Sequence, residues 1–350
     1  NNSWRKYMNK KLLAVAIGAA LASAPMFANA AATVYGSAHL SIDSIDNGNL
    51  TNNTATSMYN NASYLGFKAE DDIGGGMKAF FGAELQLTLD TGVTNFSNRN
   101  TTAGLTGGFG TVRLGNYDDV LKQVGRKVDF FMSEQLGESR SLTHVGTWDA
   151  RLADSVTYAT PSMGGVTATL NYGLENTFVD GAGLTAKAVG VEYSGGPLYV
   201  GAAYKTVDVS ATTDTSAIRV SVMGTMGPVK VGGLYQKVTG VTGATDRDTY
   251  GVGASFKIGS GSIKGQYYVA GDLGTTAASG ATLMAVGYDH SLSKTTTVYA
   301  VFASVDNDTN GAFQVVSGAG HGTPATVPAG LATTAGNEGK GLSLGMKVVF

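Results

Sequence analysis

The chain has no cysteine in 350 residues, so it carries no disulfide framework and no thiolate metal site. It has only six prolines. Charged residues make up 14% of it, against about 25% in an average soluble domain. No internal stretch reaches the roughly 18 apolar residues of a spanning helix. The four histidines (His39, His144, His290, His321) form no metal-ligand spacing and have no nucleophile partner in sight, which argues against an enzyme and against a cofactor or metal site. Gly74-Gly-Gly76 and Gly107-Gly-Phe-Gly110 each join two strand-like runs, and no Gly-Lys-Ser/Thr follows, so neither is a phosphate loop. What remains is glycine, 50 residues of it, with Thr, Ser, Val and Tyr, at a mean hydropathy close to zero. That mixture suits a chain whose apolar and polar residues alternate one by one.

The N-terminal segment reads as a leader. Met8-Asn-Lys-Lys11 is a positive region, Leu12 to Ala24 a short apolar one, and Ala28-Asn29-Ala30 has the small-x-small form of a signal peptidase site. Cleavage is expected after Ala30, and residues before Met8 read as upstream sequence. Removing residues 1–30 takes away Arg5, Lys6, Lys10 and Lys11 and no acid. The mature chain, 31–350, then has 24 − 4 = 20 basic and 26 acidic residues, net −6. An exported, acidic chain is not a nucleic-acid binder.

From Thr33 the alternation is regular. Val34, Gly36, Ala38, Leu40 and Ile42 fall on one face; Tyr35, Ser37, His39, Ser41 and Asp43 fall on the other. A polar loop is expected from Ser44 to about Met58. A strand holding Leu65, Phe67 and Ala69 follows, then the tight turn Asp71–Gly76 and a strand from Met77 to Leu87. Residues 103–115 read as a hairpin, and Asp154 to about Leu174 as another. The second half repeats the unit near 185–207, 215–238, 248–271 and 281–305, and a last strand runs from Lys340 to Phe350. Sixteen strands are predicted, with turns of two to four residues alternating with loops of about ten or more. This is the asymmetry of an outer-membrane barrel, with short periplasmic turns and longer outer loops. In lipid no sheet edge can stay open, so the last strand is expected to pair with the first. The fold class expected is all-β: a transmembrane antiparallel β-barrel of sixteen strands, residues 31–350, with an inward-folded constriction loop.

That loop is the stretch at about 117–152, where alternation stops. Eleven charges fall in its 36 residues, about twice the chain average. A segment this long without its own pattern is a functional loop or a disordered one. The other long loop, Asp306 to Gly339, has three charges in 34 residues and reads as external.

At this point the residues become familiar. Thr33-Val-Tyr-Gly36, Leu65-Gly-Phe-Lys-Ala-Glu-Asp-Asp-Ile-Gly-Gly-Gly-Met-Lys-Ala79, Gly104-Leu-Thr-Gly-Gly-Phe-Gly-Thr-Val-Arg-Leu-Gly115, Tyr158-Ala-Thr-Pro161 and terminal Phe350 resemble the neisserial-type general porins of Gram-negative bacteria. The second and third motifs carry the specificity. The resemblance implies an outer-membrane homotrimer in contact with lipid and lipopolysaccharide. It also implies assembly through a machinery that reads Phe350, and a third loop that folds inward after Gly115. One departure is Asn116, where these porins often carry Arg, so one constriction charge is absent.

Assigning strand charges by alternation puts Lys68, Lys78, Arg113, Lys205, Arg219, Lys230, Lys257, Lys264 and Lys347 in the lumen, with Glu70, Glu84, Glu192 and Asp289. A wall richer in bases than acids favours small anions modestly. Asp118, Asp119, Asp129 and Glu134 of the loop, with Arg126 near them, are expected to face Lys68, Lys78 and Arg113 across the constriction; Lys257 and Lys347 complete the lumen set. Tyr64, Tyr172, Tyr193, Tyr204, Tyr235, Tyr250, Tyr267, Tyr288 and Phe350 are candidates for interfacial girdles. The expected function is passive diffusion of small hydrophilic solutes and ions, weakly anion-preferring. A substrate-specific channel is the rival, and it would need an arginine ladder or an aromatic track. A plugged barrel is disfavoured, because sixteen strands leave an aqueous bore.

Overall fold

The computed structural model describes residues 32–46, 48, 54–92, 98–132, 135–143, 148–174, 185–210, 213–240, 246–316 and 335–350. The expected leader and its cleavage point lie outside these residues, as does Glu134. The strands are β1 (Thr33–Asp46), β2 (Thr54–Asn60), β3 (Tyr64–Gly74), β4 (Met77–Gln86), β5 (Asn98–Gly107), β6 (Gly110–Asp118), β7 (Arg151–Ala159), β8 (Val166–Gly173) and β9 (Ala186–Gly195). They continue as β10 (Leu198–Ser210), β11 (Thr213–Met226), β12 (Val229–Thr239), β13 (Arg247–Ile258), β14 (Gly261–Ala270), β15 (Ala281–Ser291), β16 (Thr296–Asn307) and β17 (Glu338–Val349). Two short helices, α1 (Val120–Arg126) and α2 (Arg140–Thr143), sit between β6 and β7.

All pairings are antiparallel and, apart from β1 with β3, join chain neighbours; the sheet closes where β1 meets β17, from Ser37↔Val349 to Asp46↔Lys340. Gly36 and Phe350 exchange backbone hydrogen bonds of 2.9 and 3.1 Å at the end of this seam. The barrel has sixteen staves rather than seventeen, because β2 and β3 share one. β2 pairs with Leu40–Asp46 of β1, and β3 pairs with Thr33–Ser37. The stave breaks at Asn61–Ser63, where Ala62 takes a φ of 52°. Alternation thus yields the predicted barrel, with three local corrections. β1 and β2 extend into the expected polar loop at 44–58. β6 runs to Asp118 and β7 starts at Arg151, so the inner loop is 119–150. Tyr64 turns inward, edge-on to Tyr35, because it shares the parity of Gly66 and Lys68.

The apolar residues of each strand point outward. Along β13, Tyr250, Val252 and Phe256 are exposed, while Arg247, Thr249, Gly251 and Gly253, of the opposite parity, are buried. The same holds for Leu342, Leu344 and Met346 on β17. Such a continuous exposed apolar surface would drive aggregation in water. Against hydrocarbon it is the favoured face, and every strand but the short β2 has a hydrogen-bonded neighbour on both sides. The buried apolar residues gather inside, where the loop between β6 and β7 packs on the inner wall.

Candidate functional site

The inner loop begins as a helix because Asp119 caps it. The Asp119 carboxylate accepts from the backbone N–H of Lys122 at 2.9 Å. Val120, Leu121 and Val124 then point at the barrel wall and are fully buried. They meet Ala186 and Ala188 on β9, Ala203 and Val207 on β10, Ala217 on β11 and Val238 on β12, joined by Trp148 and Leu152. The wall positions are small so that a helix fits against them. Gly190 is the tightest, since any Cβ there would collide with Val120. Burial of the three helix side chains contributes roughly 1.5–3 kcal/mol each.

Farther along, Val128, Phe131, Leu136 and Leu142 pack on Leu234, Tyr268, Leu283, Ala285, Val301 and Ala303. Gly137 adopts a φ of 77°, and a Cβ there would collide with Ala285 and Ala303, a conformation and a space that only glycine allows.

Polar anchors fix the loop at both ends. The Lys205 ammonium on β10 bonds the Asp119 carboxylate at 2.5 Å, both fully buried. Arg219 on β11 grips Asp149 with two nitrogens, at 2.6 and 3.2 Å, and donates to the Leu121 carbonyl at 3.0 Å. Its Nε donates to Gln236, whose amide donates to the Thr143 carbonyl at 3.0 Å. Asp129 turns back into the loop and accepts from the N–H of Phe131 and from both N–H and hydroxyl of Ser139. Burial pushes its carboxyl upward, and those hydrogen bonds pull against the shift. Lys264 on β14 reaches Gln135 at 2.9 Å and Asp289 at 3.0 Å.

Asp118, at the mouth of the loop, gathers three bases: Lys122 at 2.7 Å, Arg126 at 3.1 Å and Arg151 at 3.2 Å. Burial lowers the Lys122 ammonium to about 8, although the Asp118 charge opposes the shift. The cluster carries one negative and three positive charges, net +2 at the mouth of the loop.

Opposite lies the uncovered wall, β1 and β3 to β6, around a cavity of about 390 Å³. Arg113 is stacked between Phe80 and Tyr117, 4.7 and 4.8 Å from the ring centroids. Lys68 lies over Tyr35 at 5.4 Å, and Arg99 over Tyr64 at 4.6 Å. Glu84 pairs with Arg99 at 3.2 Å and accepts from the Tyr35 hydroxyl. Among the described residues, neither Lys68 nor Arg113 has a carboxylate partner within ion-pair distance.

The structure therefore brings Lys68 and Arg113 together, while the acids expected opposite them are engaged elsewhere. Asp118 holds the loop bases, Asp119 holds Lys205, and Asp129 holds its own loop. Lys78 pairs with Glu70 at 3.2 Å beside the turn after β3, and Lys257 stands exposed two residues before the turn at Gly259. Both are at the rim. Lys347 is half-buried on β17, opposite His39. Sequence reading missed Arg99, which was placed in a loop. A register shift between Ala83 and Leu85 marks the irregularity beside which its strand begins, and no sequence signal gives it away.

A family model described as "Gram-negative porin" matches residues 14–310. Outer membrane porin protein 32 of Delftia acidovorans is 29% identical over 327 residues, covering 86% of this chain and 90% of that protein. The major outer membrane protein P.IB of Neisseria meningitidis is 31% identical over 209 residues, covering 57% and 60%. The solved anion-selective porin from Comamonas acidovorans superposes with a TM-score of 0.76 at 25% identity, over 92% of this chain and all of that one. A closed sixteen-stave barrel, apolar outside, with a loop lashed into its bore, and a family match over most of its length identify the chain as a member of the Gram-negative porin family, a channel of the outer membrane.

Proposed function

We propose that the bore conducts small hydrophilic solutes past the inner loop along the β3–β6 wall, with a modest preference for anions. The observation that carries this reading is the pairing pattern. Among the described residues, Asp118, Asp119 and Asp149 are held by bases and Asp129 by its own loop, while Lys68 and Arg113, which line the cavity beside Glu70 and Glu84, have no carboxylate within ion-pair distance. The solved relative's description as anion-selective agrees with it. The site residues of this reading are Lys68, Arg113 and Arg99 on the wall, with Arg126 and Lys122 on the loop. The channel has no catalytic role in this reading. It works as a homotrimer of mature chains cleaved after Ala30, set among outer-membrane lipid and lipopolysaccharide, and is assembled by a machinery that reads Phe350.

The test is the zero-current potential across a tenfold KCl gradient in a planar bilayer. Weak chloride preference is expected, falling toward zero in Arg113→Glu and Lys68→Glu. Cation preference in the unaltered protein would overturn the reading. Cross-linking in native membranes checks the trimer, and N-terminal sequencing of the mature protein checks the cleavage.

The substrate-specific alternative has one observation in its favour: three cations stacked on aromatic rings along one wall, at Tyr35, Tyr64 and the Phe80–Tyr117 pair. It requires that flux of an organic anion saturate with concentration. A linear dependence keeps the general pore.

A further inference from the structure

The ends of the inner loop are tied to the wall by ion pairs, but its middle, 128–143, is held in another way. The stretch after Asp306 reads from sequence as external, yet residues 311–316 turn into the bore. Phe313 and Val315 are buried there, in the same apolar cluster as Phe131, Leu136 and Leu142 of the inner loop. Gly137 is gripped from two directions. Its carbonyl accepts from the Gln266 amide of β14 at 2.7 Å, and its N–H donates to the Val315 carbonyl at 2.8 Å.

Asn307 makes the inward turn. It is the last residue of β16 and shares the inward parity of Val301, Ala303 and Val305. A carboxamide offers the same donor and acceptor as a peptide group, and Asn307 uses both on one residue. Its Oδ1 accepts from the Phe313 N–H at 2.7 Å, and its Nδ2 donates to the Phe313 carbonyl at 3.0 Å. The same Nδ2 donates to the Asn337 carbonyl at 2.8 Å, on the returning limb of the loop. The Phe313 ring is backed by the Arg247 guanidinium, 4.7 Å from its centroid, and Arg247 donates to the Ser279 carbonyl at 3.1 Å.

We infer that residues 311–316 are a clasp on the inner loop, and that Asn307 and Phe313 are positioning residues for solute passage. Neither borders the cavity along the β3–β6 wall, so both act through the loop. With its ends pinned at Asp119 and Asp149, a loop freed of the clasp swings its middle off the β12–β16 wall and into the bore. The middle of the loop is then the moving part of a gate, and the clasp keeps that gate open. A plug would act in the opposite sense, since removing it enlarges the pore.

The test is single-channel recording of the purified protein in a planar bilayer. Phe313→Ala is expected to add brief partial closures to an unchanged open level and to raise low-frequency current noise severalfold. The zero-current potential of the open level should stay that of the parent, which separates this result from the selectivity test. Phe313→Leu should restore the quiet trace. Asn307→Asp loses both donated hydrogen bonds without emptying the apolar cluster, and it should show the same closures. It carries the test if Phe313→Ala does not assemble, which heat-modifiable gel migration reports. Asn310→Ala releases the same outer loop from the Ala277 carbonyl on its exposed side and should remain quiet. Trypsin added from outside should cut after Arg140 in the clasp variants and not in the parent. Clasp variants as quiet as the parent overturn the inference. So does a steadily larger conductance, because 311–316 is then a plug. Equal noise in Asn310→Ala also overturns it, because any loosening of the outer loop then suffices.

Discussion

The two sides of the bore are built from strands of the same alternating kind yet carry different inner faces. From β9 to β16 the inward positions that pack on the loop are mostly alanine, valine and leucine, with Lys205, Arg219 and Lys264 set among them. From β3 to β6 they are Lys68, Glu84, Phe80, Arg99 and Arg113. The first face is a socket and the second a solute path. A buried base in the socket holds the loop in place, and its charge is cancelled by the acid it holds. On the open wall Arg99 is paired with Glu84, whereas Lys68 and Arg113 have no carboxylate within ion-pair distance among the described residues and set the field. The count of lumen charges therefore matters less than which side of the barrel each one occupies.

This division can be broken most severely at Arg219. Arg219→Leu removes the guanidinium that pairs with buried Asp149, at a cost of about 3–5 kcal/mol. The loop should come loose, seen as higher open-channel noise and protease cleavage within 119–150. Adding Asp149→Leu should restore quiet conductance, because an apolar pair leaves no stranded charge. A smaller disturbance comes from Gly190→Leu, which pushes Val120 and α1 toward the bore. Overpacking of this kind costs about 1–3 kcal/mol, and single-channel conductance should fall while the barrel still folds. If conductance is unchanged, the helix does not bound the path.

A milder effect should follow from pH. Lys122 is charged below about 8 and neutral above it. As pH rises through that value, the Asp118 cluster goes from net +2 to net +1, so chloride preference should decline. Lys122→Met should remove the step and leave the alkaline value at every pH. Least affected should be Lys257→Ala, at the turn-end rim, with selectivity within error of the parent. A large change there would place the decisive field at the mouth rather than beside the loop.

Strands, closure and the inward fold of the charged stretch were legible because period-two alternation reports burial directly, and its interruption reports a different environment. Height along the stave was also legible but went unread: Lys257 lies two residues from a turn glycine, and Lys78 just after one. The ion-pair partners were not legible. Asp149 and Arg219 are 70 residues apart, Asp119 and Lys205 are 86 apart, and only the loop's path across the bore selects them. Arg99 escaped because residues before Ala103 read as a polar loop, so alternation was never applied to the start of β5.

The seam between β1 and β17 has a temporal consequence. Every other ladder joins strands next to one another in the chain, or next but one where β1 meets β3, and can form as soon as both strands exist. The seam joins Ser37 to Val349, so its closure bears the loop entropy of more than three hundred residues and is the least local step in folding. Until it forms, β1 and β17 each expose an unpaired edge to the membrane. Tethering β1 to β17 by a short linker and opening the chain at an outer loop instead would make this ladder local. The permuted barrel should keep its conductance while closing faster.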